Sequence, residues 1–219
     1  MKGINFTKPM FHSVIDGSKT QTRRIIKPQP DFGKDCDDET VSMFCVGYHE
    51  EGYGVFDVNR LIKPRYKIGE ILYLKEPYKI ELIGGKYKVT FAFSDIVADL
   101  PQSVSPEGIL KVQNLMRKSK TGYCNKLFVV KGLSEYFPHK IEITGVKAER
   151  LQDISESDAK AEGIICDGSG ESFRFYFQGS KYTYPTPQQA YAALIDSIRK
   201  GAWERNEFYW TYEFKLVKQ

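Results

Sequence analysis

The sequence has few cysteines and lacks the spacings that cysteines adopt in disulfide frameworks and zinc sites. Its four cysteines are widely and irregularly spaced, and no CxxC pair occurs. The nearest approach to a ligand set, formed by Cys36, Cys45 and His49, matches no common zinc spacing. We therefore expect reduced thiols in a reducing compartment, with no bound metal and no cofactor.

Long apolar runs are also absent. No stretch of the 219 residues approaches the roughly 18 apolar residues that a membrane-spanning helix needs. The opening residues, MKGINFTKPMFHSVIDGSK, contain no uninterrupted apolar segment of signal-peptide length. These absences predict a cytoplasmic protein with no membrane partner. With 41% hydrophobic and 27% charged residues, the composition is that of a globular protein and excludes a disordered chain.

The short motifs of several large enzyme classes do not occur. The sequence contains no GxSxG, HExxH, P-loop or GxGxxG motif. The three histidines, His12, His49 and His139, stand apart from one another in the sequence, and a lone histidine beside apolar neighbours is usually structural. Any catalytic centre is therefore expected to be built from other residue types.

The net charge of +4 is small, but the basic residues are segregated along the chain. Acidic residues concentrate elsewhere, between positions 35 and 39 and around position 157. Separate basic clusters are typical of a phosphate-binding surface, although each cluster alone also fits a solvated face. The clusters are residues 17–27 with Lys19, Arg23, Arg24 and Lys27, residues 60–67 with Arg60, Lys63, Arg65 and Lys67, and a third set of Lys111, Arg117, Lys118 and Lys120.

The periodicity of apolar residues predicts an α+β chain. Helices are expected behind the capping residues Thr7, Ser155 and Thr186, the second over 153–162 and the third ending at Gly201. Residues 94–126 read as a loop followed by a basic segment. Strands are expected at residues 22–26, 71–78, 86–93, 127–130, 141–146 and 208–217.

The mixture of elements predicts one domain over residues 1–219, with strands that curl into a small mixed β-barrel flanked by a few helices. Two long insertions interrupt it. Residues 29–66 are rich in proline, glycine and acidic residues and are expected to contain a hairpin, and residues 165–186 form a loop rich in glycine, serine and tyrosine.

One segment resembles a known family. The string DGSKTQTRRIIKPQP, residues 16–30, resembles the N-terminal signature of ASCH-domain proteins, a branch of the PUA-like fold, in its spacing of Gly17, Lys19 and Arg24. Later pieces resemble the phage- and prophage-type members of that group. These pieces are KIGEILYLKEP at 67–77, ERLQDISESDAKAEGI at 149–164, AYAALIDSI at 190–198 and WTYEF at 210–214.

The resemblance implies a protein directed at RNA, at single-stranded nucleic acid or at a modified nucleoside. In one bacterial branch, an amidohydrolase removes the acetyl group from acetylcytidine with a Lys, a Thr three residues later and a downstream Glu. Lys19, Thr22 and Glu162 match these three positions, which makes them the expected catalytic residues. Nucleic-acid contacts are expected from Gly17, Arg23, Arg24, Lys27, Lys63, Arg65, Lys75 and Glu76.

The residues set conditions on that chemistry. A threonine hydroxyl attacks an amide carbonyl only if a base takes its proton, and a lysine is such a base only if burial or nearby cations lower its pKa from about 10.4. Residues three apart point to opposite faces of a strand, so Lys19 and Thr22 cooperate only if the chain turns between them. Two further functions stay open: a binding module without chemistry, in which Lys19, Arg23 and Arg24 contact phosphate, and a phage accessory or assembly protein.

Overall fold

The computed structural model describes residues 1–30, 46–49, 52–57, 60–168 and 173–217. These residues form five α-helices: α1 (Lys8–Ile15), α2 (Pro106–Lys118), α3 (Glu156–Ala161), α4 (Pro187–Ile198) and α5 (Ala202–Arg205). They also form thirteen strands: β1 (Lys2–Asn5), β2 (Gln21–Ile25), β3 (Val46–His49), β4 (Gly52–Asp57), β5 (Arg60–Ile62), β6 (Ile71–Lys75), β7 (Tyr78–Ile83), β8 (Lys86–Phe91), β9 (Val97–Asp99), β10 (Lys140–Arg150), β11 (Ile164–Asp167), β12 (Arg174–Phe177) and β13 (Phe208–Leu216).

The expected α+β class is therefore confirmed. Among the described residues the strands belong to several sheets, and no closed barrel forms. The chain divides into two compact units. Unit 1 comprises Met1–Asp16, Ile71–Glu142 and Leu216–Gln219, and unit 2 comprises Gly17–Glu70 and Ile143–Lys215. In the described ranges, no helix combines the length and the hydropathy needed to cross a bilayer.

Unit 1 is built around two sets of strands. β1 runs parallel to β6, and the first residues of β10 pair antiparallel with β6. β7, β8 and β9 form an antiparallel sheet, against which α2 packs. Buried apolar side chains from these elements form one core, in which the Phe137 ring contacts those of Tyr73, Tyr78 and Phe91.

Two predictions for unit 1 are wrong. Residues 106–118 form the helix α2 instead of a loop, because the Ser105 side chain accepts a hydrogen bond from Gly108 N and Ile109 and Val112 supply a buried face. Residues 127–130 form a turn and irregular backbone instead of a strand. There the Val130 amide donates to the Tyr78 hydroxyl, at 3.1 Å, and not to a neighbouring strand.

Unit 2 holds the predicted C-terminal strand and two of the predicted helices. β13 pairs antiparallel with β2, and β10 lies on its other side. α3 packs against β2 and α4, and α4 also contacts the hairpin of β11 and β12. The expected hairpin in residues 29–66 corresponds to the antiparallel strands β3, β4 and β5. Residues 31–45 of that insertion and 169–172 of the second one lie outside the described residues.

The helix predicted over 153–162 forms over the shorter range Glu156–Ala161, with the capping residue and the terminating glycine that the sequence indicates. The Ser155 hydroxyl caps α3 by accepting a hydrogen bond from Asp158 N at 3.0 Å. Glu162 is the residue that closes the helix, and Gly163 follows it with φ +96°, a left-handed conformation that favours glycine. This ending fixes where the Glu162 side chain and backbone carbonyl lie.

Candidate functional site

The candidate site of unit 2 forms where the end of α3 meets the residues before β2. The Thr20 amide donates to the Ala161 carbonyl at 2.9 Å, which ties the two segments together. Gly163 lies close to the Lys19 side chain: a Cβ added there would stand 3.5 Å from Lys19 Cβ. The helix end and Lys19 therefore approach each other at van der Waals distance.

Lys19 and Glu162 form a buried pair at this junction. Lys19 Nζ donates to Glu162 Oε2 at 2.6 Å and to the Glu162 backbone carbonyl at 2.7 Å. The two side chains are only 1% and 5% exposed. The sequence predicts that these two residues act together, and in the structure they are in direct contact, although 143 positions separate them in the chain.

Burial lowers the pKa of the Lys19 amine from its ordinary value of 10.5. The Glu162 carboxylate opposes this effect, because it stabilises the charged ammonium, and the positive charges of Arg24 and Arg23 reinforce it. The net direction is downward. Lys19 therefore releases its proton more readily than an exposed lysine does, which is the property that a general base needs near neutral pH.

Arg23 connects Glu162 to two further carboxylates. Its Nη1 donates to Gln21 Oε1 at 2.7 Å and to Glu162 Oε1 at 3.2 Å. Its Nη2 donates to Glu149 Oε1 and reaches Asp158 Oδ2 at 3.5 Å. Both terminal nitrogens of the Arg23 guanidinium are therefore engaged by side chains of the protein: Nη1 by the Gln21 amide oxygen and Glu162, and Nη2 by Glu149 and Asp158. The expected phosphate contact of Arg23 stays a prediction.

Lys147 completes the ionic network around Arg23. Its Nζ lies 3.0 Å from both Glu149 Oε2 and Asp158 Oδ2. Burial opposes ionisation of Asp158, but its bonds to Lys147 and Gln21 outweigh this effect and lower its pKa below the ordinary value. The network thus sets the cations Lys19, Arg23 and Lys147 against the carboxylates Glu149, Asp158 and Glu162.

Two buried polar atoms beside this network have no hydrogen-bond partner in the described part of the chain. They are Arg23 Nε and the hydroxyl oxygen of Tyr191. The Tyr191 ring lies 5.6 Å from the Arg23 guanidinium carbon, and its side chain is fully buried. Burial raises the Tyr191 pKa well above 10, so the phenol keeps its proton and remains a donor.

Thr22 lies inside β2, on the face opposite to Gln21 and Arg23, since side chains alternate along a strand. It is buried and pairs across the sheet with Tyr212. Within the described ranges, its hydroxyl makes no hydrogen bond. The structure therefore joins Lys19 to Glu162 directly, while the participation of Thr22 stays a prediction.

The other predicted binding residues of unit 2 lie nearer the surface. Gly17, Lys27, Lys63 and Arg65 are exposed, and Arg24 is half-buried. The basic segments 17–27 and 60–67 both contact strand β13. Tyr212, the partner of Thr22, accepts a hydrogen bond from the Arg65 amide at 3.1 Å, and its ring contacts that of Tyr66 at 5.2 Å.

Lys75 and Glu76 belong to unit 1, unlike the other predicted site residues. Lys75 is half-buried, with its Nζ 5.9 Å from the centre of the Tyr73 ring. Glu76 is fully buried and accepts hydrogen bonds from Phe93 N, Ser94 N and Ser94 Oγ at 2.5, 2.9 and 2.8 Å. This carboxyl group holds a turn of its own unit.

Several residues of the site were not singled out from the sequence. Gln21 and Arg23 alternate along β2, as Lys147 and Glu149 do along β10, and this period-two spacing of polar residues in buried strands is a signal that sequence inspection can use. Asp158 lies in the acidic segment around position 157, and the sequence indicates no further part for it. Nothing local in the sequence distinguishes Tyr191 from an apolar core residue of α4.

The carboxylates of the site are engaged by cations of the protein. Across the described ranges, no group of three His, Cys, Asp or Glu residues is arranged to hold a metal ion. The arrangement can move a proton between Lys19 and Glu162, and it can offer the Tyr191 hydroxyl and Arg23 Nε to an acceptor oxygen.

Comparisons with known proteins add nothing to this geometry. No protein-family model matches the chain, and no significant match occurs among curated proteins or solved structures. The ASCH resemblance stays a prediction from the sequence, and the function is inferred from the site itself.

Proposed function

We propose that this chain is a PUA-like protein of the ASCH type, directed at a nucleoside or nucleic acid, and that its Lys19–Glu162 site hydrolyses an N-acyl group on a modified cytidine. The observation that carries the proposal is the buried contact of 2.6 Å between Lys19 Nζ and Glu162 Oε2. A lysine with a lowered pKa beside a carboxylate is a base–carboxylate pair of the kind that amide hydrolysis uses.

In the proposed reaction, the Lys19 amine takes the proton of the Thr22 hydroxyl while the oxygen attacks the acyl carbon. The C–N bond then breaks, Lys19 gives its proton to the leaving nitrogen, and cytidine departs. Water next attacks the acyl ester on Thr22 with Lys19 again as the base. The ester bond breaks, Lys19 returns the proton to the Thr22 oxygen, and the carboxylic acid leaves. Thr22 lies on the face of β2 opposite to Gln21 and Arg23, so this step requires the chain between Lys19 and Thr22 to turn the hydroxyl toward the amine when substrate binds.

Glu162 and Arg23 have separate parts in this scheme. Glu162 accepts from Lys19 through both its carboxylate and its backbone carbonyl, which holds the amine in one position. Arg23 shares the same carboxylate at 3.2 Å and limits how strongly Glu162 stabilises the ammonium form of Lys19. The pKa of the base is therefore set by the balance of three neighbouring charges.

The test is turnover of a panel of N-acylated nucleosides, with the products identified by mass spectrometry. We expect an acylated cytidine to be hydrolysed, and Lys19→Arg to reduce kcat/KM by about 100-fold or more, because guanidinium is not a base near neutral pH. Thr22→Ala should lose a similar factor, and Thr22→Ser should retain turnover because a hydroxyl remains.

Lys160→Arg is the matched control, since Lys160 is an exposed residue of α3 outside the ionic network. It should keep the parent's kcat/KM. If Thr22→Ala is as active as the parent while Lys19→Arg is inactive, a Lys19-activated water replaces Thr22 as the nucleophile. If the parent hydrolyses no member of the panel, the hydrolase proposal is wrong.

The second candidate is a module that binds nucleic acid without chemistry. It is favoured by the contact between the Arg65 amide and Tyr212, which brings exposed Arg65 to the strand that pairs with β2. Salt-dependent binding of RNA in the absence of any turnover would select this function over hydrolysis.

A further inference from the structure

The third basic cluster of the sequence is more extensive in the fold than its four residues indicate. From Gly108 to Ser134 the chain contains no Asp or Glu. The same stretch holds six basic residues, namely Lys111, Arg117, Lys118, Lys120, Lys126 and Lys131. All of them belong to unit 1, whereas the basic segments singled out by the family resemblance belong mostly to unit 2.

Helix α2 presents part of this stretch on one side. Ile109 and Val112 face the core, whereas Lys111, Arg117 and Lys118 are exposed. Lys111 and Lys118 are about two helical turns apart, so their side chains lie on the same side of α2. At a rise of 1.5 Å per residue, about 10 Å along the helix axis separates them. Lys111 and Lys118 thus share one exposed side of α2, and Arg117 is exposed farther around the helix.

The segment after α2 folds back against the same helix. A Cβ at Gly108 would lie 2.7 Å from Val130 Cγ2, so Val130 packs directly on the first turn of α2. Lys111 Nζ lies 5.0 Å from the centre of the Phe128 ring. Lys131, which follows Val130 and is exposed, therefore adds its charge near the beginning of the helix.

Five of the six cations are not neutralised by the protein. Lys126 is engaged, since its Nζ donates to the Phe6 carbonyl. The others are exposed, and none of them forms an ion pair with any residue that the structure describes: Lys111, Arg117, Lys118, Lys120 and Lys131. Elsewhere in unit 1 the half-buried Lys88 pairs with the exposed Asp99 at 3.0 Å, so a lysine of this unit is neutralised where an acid is present.

We propose that this α2 surface, defined by Lys111, Arg117, Lys118, Lys120 and Lys131, binds the phosphate backbone of a single-stranded nucleic acid. Exposed cations without an acidic partner attract phosphates, and the binding releases counterions. The same stretch exposes large apolar side chains, among them Leu110 at 61% and Leu127 at 67%, and Tyr136 beyond it is 53% exposed. Unstacked bases of a single strand can contact such side chains, whereas a duplex hides its bases.

This inference deepens the nucleic-acid part of the proposed function and does not depend on hydrolysis. It concerns a surface of unit 1 alone, to which the phosphates of a nucleic acid bind. The reaction proposed for the Lys19–Glu162 site of unit 2 concerns a single nucleoside and is tested separately.

The experiment measures fluorescence anisotropy of a labelled single-stranded RNA of mixed sequence, over a series of salt concentrations. The variant is Lys111→Glu combined with Lys118→Glu. A matched control, Lys181→Glu with Lys200→Glu, makes the same change in net charge at two exposed lysines of unit 2. Circular dichroism verifies that each variant is folded.

We expect the α2 variant to lose at least about tenfold in affinity and to lower the salt slope by about 1.4, since each phosphate contact on a single strand releases about 0.7 counterion. The control should bind as the parent does. Single-stranded DNA of the same sequence is the second arm, and weaker DNA binding would identify RNA as the ligand.

Three results would overturn the inference. The α2 surface is wrong if the parent binds RNA and Lys63→Glu with Arg65→Glu abolishes this binding while the α2 variant does not. It is also wrong if the parent binds neither RNA nor DNA, or if the α2 variant loses only the binding of anionic phosphatidylserine vesicles. A failed hydrolysis assay, by contrast, leaves these binding results unaffected and tests the proposed reaction alone.

Discussion

Each unit of the molecule buries a glutamate, and the two glutamates are compensated in different ways. Glu76 of unit 1 is fully buried and is held by three neutral donors, two backbone amides and the Ser94 hydroxyl. Glu162 of unit 2 is 5% exposed and is held by two cations, Lys19 and Arg23. The neutral donors around Glu76 hold a turn in place. Only the Glu162 site contains a titratable amine, that of Lys19, which can exchange a proton with the carboxylate.

The difference extends to the groups around each carboxylate. Burial raises the pKa of Glu76, and the hydrogen bonds from Ser94 and Phe93 oppose this effect without reversing it. Around Glu162, burial instead lowers the pKa of its lysine partner. A buried carboxylate alone is thus no sign of chemistry. What distinguishes the Glu162 site is its neighbour Lys19, an amine whose pKa is lowered from the ordinary lysine value.

The largest effect is expected from Arg23, because three carboxylates depend on it. Arg23→Met removes the cation shared by Glu149, Asp158 and Glu162 and leaves buried negative charge without compensation. We expect the free energy of unfolding to fall by about 3–5 kcal/mol, measured by urea denaturation. Lys181→Met, at an exposed position, is the control and should change it little. A loss below about 1 kcal/mol would show that the network does not hold the site together.

The comparison itself is tested by neutralising each glutamate. Glu162→Gln should cost about 3 kcal/mol at pH 7, since Glu162 is the buried carboxylate that contacts both Lys19 and Arg23, and its loss leaves that positive charge with less compensation. Glu76→Gln should cost clearly less, because an amide still accepts a backbone hydrogen bond and can donate to the Ser94 hydroxyl. Equal losses from the two substitutions would mean that the two sites are compensated alike.

The pH dependence of Glu76 has a definite sign. A carboxyl group whose pKa is raised by folding stabilises the folded state fully below its unfolded pKa, and this contribution is lost as the pH rises through the folded pKa. The stability of the parent relative to Glu76→Gln should therefore decline as the pH rises above about 4.5. A difference that grows with pH over that range would contradict the raised pKa.

The smallest effect is expected at Tyr191. Its hydroxyl has no partner among the described residues, so Tyr191→Phe should change the free energy of unfolding by less than about 0.5 kcal/mol. Tyr78→Phe is the contrasting variant in unit 1, because the Tyr78 hydroxyl accepts from the Val130 amide, and its loss should cost about 1–3 kcal/mol. A large loss at Tyr191 would reveal a structural hydrogen bond in place of a donor available to ligand.

The sequence predicted those parts of the fold whose signals are local. Thr7 caps α1, Ser155 caps α3 and Thr186 caps α4, as expected from their side chains. The sequence does not predict helix α2, although Ser105 caps it and Pro106 begins it, because its apolar face has only a few positions among charged and polar residues. The strand expected at 127–130 was wrong because β-branched residues there serve packing and a side-chain acceptor instead of a sheet.

The site was predictable only in part. The family resemblance pointed to Lys19 and Glu162, and the structure places them in contact. The partners of Arg23 cannot be predicted from the sequence, because Glu149 and Asp158 lie 126 and 135 positions away in the chain. Strand pairing and helix packing bring them to Arg23. Local patterns give the residue types of a charge network, and only the tertiary fold says which charges meet.

The central claim is that Lys19 is a base with a lowered pKa and not an ordinary salt-bridged ammonium. Its most direct test is an NMR titration of the lysine side chains labelled at Cε and Nζ, with the Lys19 signal assigned through its absence in Lys19→Met. We predict that Lys19 titrates clearly below the ordinary lysine pKa of about 10.4. A midpoint for Lys19 at or above that ordinary value would contradict the account.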